Sequence, residues 1–315
     1  MNAQNKNTDA ASMRNRLICS LDSYGINNEG KMFEDIAAIG FKTIEISCSQ
    51  TRPYGIVPDR LFDFNHNPGG AGHWGFSLPD LKERIHSFGL KAGMMNASCE
   101  LCHPRSVEWL RRRIDAAGLL GIDVLSTGIG QGWRDAGAES LVADHLRMAC
   151  LYARERGKTI CVKTEAWLAN GPEETLRLLD EAGSERLKVD FDPSLILHYN
   201  PEVNVLDYLE KIIHAVGCVH LRGIMKKDGL SALPEAGAGA INYQKMFSLL
   251  NENGFYGPFC LELDYAYFWE PNSDQIPLTH ASWLDGTFDR EGLRERGEKV
   301  RQFMRYFAEY AKFDI

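Results

Sequence analysis

The sequence predicts a protein of the α/β class, folded as a single (β/α)₈ TIM barrel. Eight short strand-like segments alternate with segments of helical periodicity, and no shift in composition marks a linker. Glycines stand between several helices and the strands that follow them. A doubly wound open sheet is the alternative for this pattern, but eight repeated units within 315 residues favour the closed barrel.

The predicted strands are short and largely apolar, and a stretch of helical period follows each of them. In chain order the strands cover residues 17–22, 43–47, 91–96, 122–127, 159–165, 187–192, 217–222 and 259–264. Clear helical periods cover 78–88, 107–120, 141–156 and 203–216. A last helix places on one face Val300, Phe303, Met304, Phe307 and Tyr310. The segments GFK, GLK, GID, RGK and GFYG supply the glycine at which a helix ends.

Composition limits the classes of function. The chain has 35 basic and 43 acidic residues, a formal net charge of −8, which disfavours a nucleic-acid partner. No apolar run is long enough for a transmembrane helix. Eight cysteines in so long a chain do not indicate a disulfide scaffold, and buried free thiols are expected. Residues 1–15 are polar and predict a flexible tail, residues 16–315 predict the barrel domain, and a cytoplasmic location is expected.

Two connections that follow strands 2 and 8 are much longer than usual. One covers residues 47–77 and contains His73, and the other covers residues 264–293. Both follow the carboxyl end of a strand, where barrel enzymes hold their active sites. They are expected to be lids over a small polar ligand, although an insertion without function or an oligomer contact fits equally well.

Four residues with metal-ligating side chains stand at or near the ends of strands 5 to 8. They are Glu165, Asp192, His220 and Glu262. Because alternate residues of a barrel strand point inward, all four can converge above the barrel axis. Three carboxylates and one imidazole suit a single divalent ion such as Mn²⁺, Mg²⁺, Co²⁺ or Zn²⁺.

The same alternation turns further charged residues inward. Lys163 and Asp190 lie on adjacent strands one layer deeper, and we expect them to pair because an isolated buried charge is costly. Arg222 stands two residues beyond His220 and is expected to contact an anionic or polyhydroxyl substrate at the mouth. Lys163 is also a candidate substrate-binding residue.

These strand-end residues carry a resemblance to a known superfamily. The segments VKTEAW, LKVDFDPS, CVHLRG and EAGAGAINYQKMFSLLNENGFYGPFCLELD resemble those of the sugar isomerase/epimerase superfamily of xylose isomerase-like barrels. Ketose 3-epimerases, hydroxypyruvate isomerases, inosose dehydratases and endonuclease IV-like repair enzymes belong to it. The resemblance covers residues 17–311 and is specific for the superfamily rather than for a substrate.

The resemblance implies that Glu165, Asp192, His220 and Glu262 are metal ligands, and that the two glutamates are also the catalytic acid/base pair. A metal that chelates a carbonyl and the adjacent hydroxyl acidifies the neighbouring proton and stabilises an enediolate. The implied activity is a sugar, sugar phosphate or polyol isomerase or epimerase, and the implied partner is a small carbohydrate. A homo-oligomer is compatible with this activity.

The sequence departs from the family at one position. The family commonly has Asp-x-x-His after the sixth strand, whereas this chain has Leu195 three residues after Asp192. His198 is a candidate replacement. This departure and the small number of histidines argue against a trinuclear, endonuclease IV-like phosphodiesterase. Inosose-type dehydration and a barrel that only binds a polyol remain alternatives.

Two further candidate substrate contacts stand in loops. His103 follows the third strand, and Trp133 follows the segment Gly128-Ile129-Gly130-Gln131-Gly132 after the fourth. This glycine segment lacks the spacing of a dinucleotide-binding loop, so a tight turn is the favoured interpretation.

Overall fold

The computed structural model describes residues 16–21, 29–48, 78–130, 135–223 and 241–263. Eight parallel strands form a closed barrel in which each strand pairs with the next along the chain and the last pairs with the first. The strands are β1 Leu17–Ser20, β2 Thr43–Ser47, β3 Lys91–Asn96, β4 Val124–Thr127, β5 Thr159–Lys163, β6 Leu187–Phe191, β7 Val216–Gly223 and β8 Phe259–Leu263. The predicted fold class is confirmed.

The described helices lie between the strands. They are α1 Glu29–Ile39, α2 Leu78–Ser87, α3 Ser106–Leu120, α4 Ala138–Glu155, α5 Pro172–Ala182, α6 Pro193–Tyr199, α7 Val205–Ile212 and α8 Tyr243–Glu252. Short 3₁₀ turns cover Ala166–Asn170 and Ile213–Ala215. The predicted helix over 203–216 is therefore shorter than expected, because its last residues form a 3₁₀ turn that leads into β7. None of the described helices is long and apolar enough to cross a membrane.

Several predicted features lie outside the described residues. These are the tail over residues 1–15 and most of the two long connections, including His73. Trp133 and the last helix around Val300 also lie outside them.

Glycines end helices where the sequence predicts it. Gly121 follows α3 with φ of 80°, and its N–H donates to the carbonyls of Ala117 and Gly118. Gly157 follows α4 with φ of 66°. A residue with a β-carbon is strained in this left-handed conformation, so glycine allows the chain to turn directly into β4 and β5.

The barrel interior is built in layers of side chains, because residues two apart on a strand face the same side. The lowest layer is apolar and contains Ile18, Met94, Cys161, Cys218 and Cys260. The next inward positions carry charged side chains. Lys163 lies two residues after Cys161 on β5, and His220 lies two residues after Cys218 on β7. A contact between Lys163 on β5 and Glu262 on β8 crosses the interior, which shows that these side chains point inward.

All eight cysteines are free, and all but Cys102 are buried. The expectation that the thiols lie in the core without forming disulfides is confirmed.

Candidate active site

A buried ionic layer lies directly above the apolar floor of the barrel. The imidazole of His220 lies between two carboxylates, with Nδ1 2.8 Å from Asp190 Oδ1 and Nε2 3.3 Å from Glu45 Oε1. Asp190 also accepts a hydrogen bond from Ser126 Oγ. Lys163 Nζ lies 3.9 Å from Asp190 Oδ2, so the pair predicted from the sequence forms. We call these five residues the lower ionic layer.

A second set of charges, the upper ionic layer, lies at the carboxyl ends of the strands. It comprises Glu165, Asp192, Arg222 and Glu262. Arg222 Nε donates to Asp192 Oδ2 at 2.5 Å, and its Nη2 lies 2.9 Å from Glu262 Oε2. The same Glu262 oxygen lies 3.4 Å from Lys163 Nζ. His220 Nε2 of the lower layer lies 3.5 Å from this oxygen, so Glu262 is in contact with Arg222 above and with Lys163 and His220 below.

Asp192 is held by the helix that it begins. It is the N-cap of α6, and its Oδ1 accepts hydrogen bonds from the backbone N–H groups of Ser194 and Leu195 at 3.1 and 3.0 Å. Thr164 Oγ1 accepts a hydrogen bond from the Asp192 backbone N–H at 2.9 Å. With one oxygen in the cap and the other on Arg222, the carboxylate has a fixed orientation.

Glu165 lies beyond the end of β5 rather than within it. The strand ends at Lys163, and Glu165 leads into the 3₁₀ turn over Ala166–Asn170. Ala166 has φ of 54°, a strained conformation for a residue with a side chain. Strain of this kind beside a carboxylate is typical of functional sites.

The turn after β4 receives the Glu165 carboxylate. The N–H of Ile129 donates to Glu165 Oε1 at 2.7 Å, and the N–H of Gly128 donates to Ser98 Oγ at 2.8 Å. A β-carbon at Gly128 would lie 2.5 Å from Glu165 Oε1, so only glycine leaves room for the carboxylate. The sequence predicts a tight turn here but gives no sign of its contact with Glu165.

The two glutamates have pKa values displaced in opposite directions. The pKa of Glu165 is raised, chiefly because burial disfavours the charged form, and the N–H of Ile129 and the charge of Lys163 only partly oppose this. Burial would also raise the pKa of Glu262, but the positive charges of Arg222, Lys163 and His220 together hold it well below its ordinary value. Glu262 is therefore ionised, whereas Glu165 retains its proton to higher pH.

The lower ionic layer contains side chains of both positive and negative charge. Burial favours neutral His220, but the negative charges of Asp190 and Glu45 outweigh it and raise the pKa to about 10. Burial likewise opposes ionisation of Lys163 and Asp190, yet attraction to opposite charges raises the pKa of Lys163 and lowers that of Asp190. Glu45 and Ser126 are the members of this layer that sequence reasoning missed. For Glu45, the available signal was an acidic side chain at an inward position of the apolar segment TIEIS.

The predicted loop contacts differ in their relation to these layers. His103 is exposed, stacks on Trp109 with ring centroids 4.5 Å apart, and accepts a hydrogen bond from the N–H of Arg105. The pKa of His198 is lowered, first by burial and then by the charge of Arg222, so this histidine lies within electrostatic reach of the upper ionic layer. Trp133 lies outside the described residues.

Comparison with known proteins identifies the family. Residues 33–286, more than half of the chain, match the xylose isomerase-like TIM barrel family. This chain belongs to that family. The resemblance predicted from the strand-end motifs is confirmed. No functionally curated protein shows significant similarity to the sequence.

Solved structures of other proteins superpose on this chain along most of its length. An L-ribulose 3-epimerase is 16% identical, with 94% of this chain and 95% of that chain covered and a TM-score of 0.63. A D-psicose 3-epimerase from Clostridium cellulolyticum H10, solved with D-tagatose, is 14% identical over 92% and 98%, with a TM-score of 0.63. A xylose isomerase-like protein from Mycobacterium smegmatis, in complex with magnesium, is 14% identical over 96% and 99%, with a TM-score of 0.63. At these identities the similarity shows the fold alone.

The arrangement of the two ionic layers bears on the predicted metal. Of the four predicted ligands, Asp192 and Glu262 are bridged by Arg222, and the imidazole of His220 lies in the lower layer between Asp190 and Glu45. A divalent ion between these carboxylates does not fit while a guanidinium holds them. In the described part of the chain, donor atoms that lie within 4.8 Å of one another, as an ion requires, belong to Glu45, His220 and Cys260.

Proposed function

We propose that this xylose isomerase-like barrel is a sugar or polyol isomerase or epimerase that moves a proton at a carbon next to a carbonyl group. The family and its ketose-epimerising neighbours support this substrate class. The observation that carries the proposal is the pair Glu165 and Glu262 at the mouth of one closed barrel. Glu165 accepts a hydrogen bond from the Ile129 N–H at 2.7 Å, and Glu262 contacts Arg222 at 2.9 Å. The pKa values of the two glutamates are displaced in opposite directions. Such a pair divides the roles of acid and base between two carboxyl groups.

Glu262 is the proposed base. It is ionised and belongs to β8, where pairing in register with Arg222 on β7 fixes its position. Its contacts with Arg222, Lys163 and His220 keep it a weak base in the free protein. A substrate oxygen that draws Arg222 towards itself would raise the pKa of Glu262, so substrate binding and activation of the base are coupled.

Glu165 is the proposed acid. Its raised pKa favours the protonated form, and the N–H of Ile129 orients it beside the mouth. After Glu262 removes a proton, the negative charge develops on the carbonyl oxygen, and the cations of Arg222 and Lys163 stabilise it. A proton from Glu165 then completes an isomerisation or epimerisation according to the carbon atom that receives it.

Dehydration is the second candidate reaction, and the raised pKa of Glu165 is the observation that favours it. A protonated carboxyl group can donate its proton to a departing hydroxyl group, which leaves as water. The same enediolate precedes this step, so the two reactions share their first half.

Proton exchange in D₂O tests the proposed function before the product is known. Ketohexoses, ketopentoses, inososes and hydroxypyruvate would each be incubated with the protein, and deuterium incorporation next to the carbonyl followed by NMR. We expect exchange with at least one of them, and a rate lowered about 10²–10⁴-fold in Glu262→Gln and Glu165→Gln. Glu139→Gln, which removes the charge of an exposed ion-paired glutamate, is the matched control. The proposal fails if no compound exchanges faster with the wild-type protein than with Glu262→Gln.

A further inference from the structure

We propose that Arg222, supported by Lys163, takes the place of a divalent ion in this barrel, so that the protein binds no metal in its active site and polarises the substrate with a guanidinium group. The proposal rests on the proposed function and names the electrophile of that reaction. It departs from the ligand set that the family resemblance implies.

The guanidinium group of Arg222 occupies the space between Asp192 and Glu262. A divalent ion held by Asp192 and Glu262 must lie between their carboxylates, at roughly 2.0–2.6 Å from their oxygens. In the structure, Nε and Nη2 of Arg222 lie there, 2.5 and 2.9 Å from one oxygen of each carboxylate. The second oxygen of Asp192 is already used by the backbone N–H groups that begin α6.

The buried ammonium group of Lys163 places a second fixed positive charge beside Glu262. The Lys163 side chain is 3% exposed, so the ammonium group cannot turn out into solvent to make room for a further cation. It lies 3.4 Å from Glu262 and 3.9 Å from Asp190. An added ion at Glu262 would therefore be repelled by two fixed positive charges within a few ångströms.

The two ring nitrogens of His220 lie among carboxylates inside the barrel. Its Nδ1 lies 2.8 Å from Asp190 Oδ1, whereas its Nε2 lies 3.3 Å from Glu45 Oε1 and 3.5 Å from Glu262 Oε2. A metal ligand needs a nitrogen lone pair directed at the ion. Among the described residues, the donor atoms that lie within 4.8 Å of one another are those of His220, Glu45 and Cys260, so His220 does not complete a ligand set with Glu165 and Asp192.

A guanidinium in this position also limits the substrate. Its planar array of N–H groups binds two oxygens side by side, which suits the carbonyl and adjacent hydroxyl groups of an α-hydroxy ketone or aldehyde. The enediolate formed by proton removal carries its charge on those two oxygens, so the same contact strengthens as the reaction proceeds.

Metal binding, measured separately from activity, tests the inference. The wild-type protein would be treated with EDTA, exchanged into Mn²⁺ or Zn²⁺, passed through a desalting column and analysed for bound metal. We expect less than about 0.1 equivalent of metal, and proton exchange that EDTA does not reduce. The double variant Arg222→Ser/Lys163→Gln frees the carboxylates and is expected to bind Mn²⁺ at least about tenfold more tightly than wild type. Arg156→Ser/Lys211→Gln is the matched control, because it removes two exposed, ion-paired cations.

One equivalent of metal retained by the wild-type protein would overturn the inference. Loss of that metal in Cys260→Ser, but not in Asp192→Asn, would place the ion at Glu45, His220 and Cys260 and would equally overturn it. If the double variant does not fold by circular dichroism, Arg222→Ser replaces it and the wild-type measurement still decides. Absence of proton exchange with every compound contradicts the proposed function, whereas bound metal contradicts only this inference.

Discussion

Glu262, the proposed base, shows how buried charges are balanced at a single side chain. Its carboxylate is buried at the end of β8, yet the cations of Arg222 and Lys163 keep it ionised. Removing either cation alters both the charge balance of the interior and the basicity of this group. Stability and the proposed activity are therefore expected to be coupled at this residue, and variants of the residues that contact the two glutamates separate these effects.

Lys163→Met is expected to destabilise the protein by about 3 kcal/mol, because it leaves the carboxylates of Asp190 and Glu262 buried without their ammonium partner. Urea denaturation monitored by circular dichroism measures the change. Lys211→Met, which removes the ammonium group of an exposed pair with Glu173, should leave the unfolding midpoint unchanged. Equal midpoints for Lys163→Met and wild type would show that the charges do not meet inside the barrel.

Gly128→Ala is expected to lower the rate of proton exchange about 10²-fold, because the added methyl group must displace the Glu165 carboxylate. Gly118→Ala on α3 is the matched control, since nothing lies within 4 Å of the added methyl group. Helix propensity predicts that this control is neutral or slightly more stable than wild type. A full rate in Gly128→Ala would mean that the position of Glu165 does not matter for the reaction.

At the scale of the elements, the helix that follows β6 positions one side of the site. Asp192 begins α6 and binds Arg222 with the same carboxylate, whereas Asn204 begins α7 with a side chain that only caps. Variants of these two capping residues can therefore separate the effect of helix capping on stability from the effect of the ion pair with Arg222.

Asp192→Asn is expected to retain the cap and to cost less stability than Asp192→Ala, while both variants lower the exchange rate to a similar extent. Asn204→Ala should cost about 1 kcal/mol and leave the rate unchanged. Denaturation midpoints and exchange rates of the three variants, measured side by side, check this. A normal rate in Asp192→Asn would indicate that the charge on Asp192 is not needed to hold Arg222.

For the whole molecule, the buried lower ionic layer links stability to pH. The pKa of His220 is raised to about 10 in the folded protein, against about 6.5 for an unfolded histidine. A raised pKa means that the folded state holds the proton more tightly, so this contribution to stability is complete below about pH 6.5 and is lost as the pH rises towards about 10.

The free energy of unfolding is therefore expected to fall between about pH 6.5 and 10, and His220→Gln should flatten this slope. Urea titrations at intervals across this range provide the measurement. His214→Gln, at an exposed histidine, should retain the wild-type slope. A slope that is the same in all three proteins would show that His220 does not hold a proton in the folded state.

The sequence alone determined the eight-strand barrel, because strand and helix periods, glycine positions and the number of units are local features that require no knowledge of distant contacts. It also determined which strand residues point inward, including Lys163, Asp190 and Glu262, since alternation along a strand follows from backbone geometry. The pairing of Lys163 with Asp190 was predictable for the same reason, because the two positions are in register on adjacent strands.

The tertiary structure decided which of these inward residues meet. Barrel closure brings Glu45 on β2 to His220 on β7, and Lys163 on β5 to Glu262 on β8. It also places Arg222 between two predicted metal ligands, Asp192 and Glu262. The stagger of the strands sets these contacts, because it fixes how high each residue lies along the barrel axis. Local sequence periodicity does not record this height relative to strands on the far side of the barrel, so the contacts could not be predicted from the sequence.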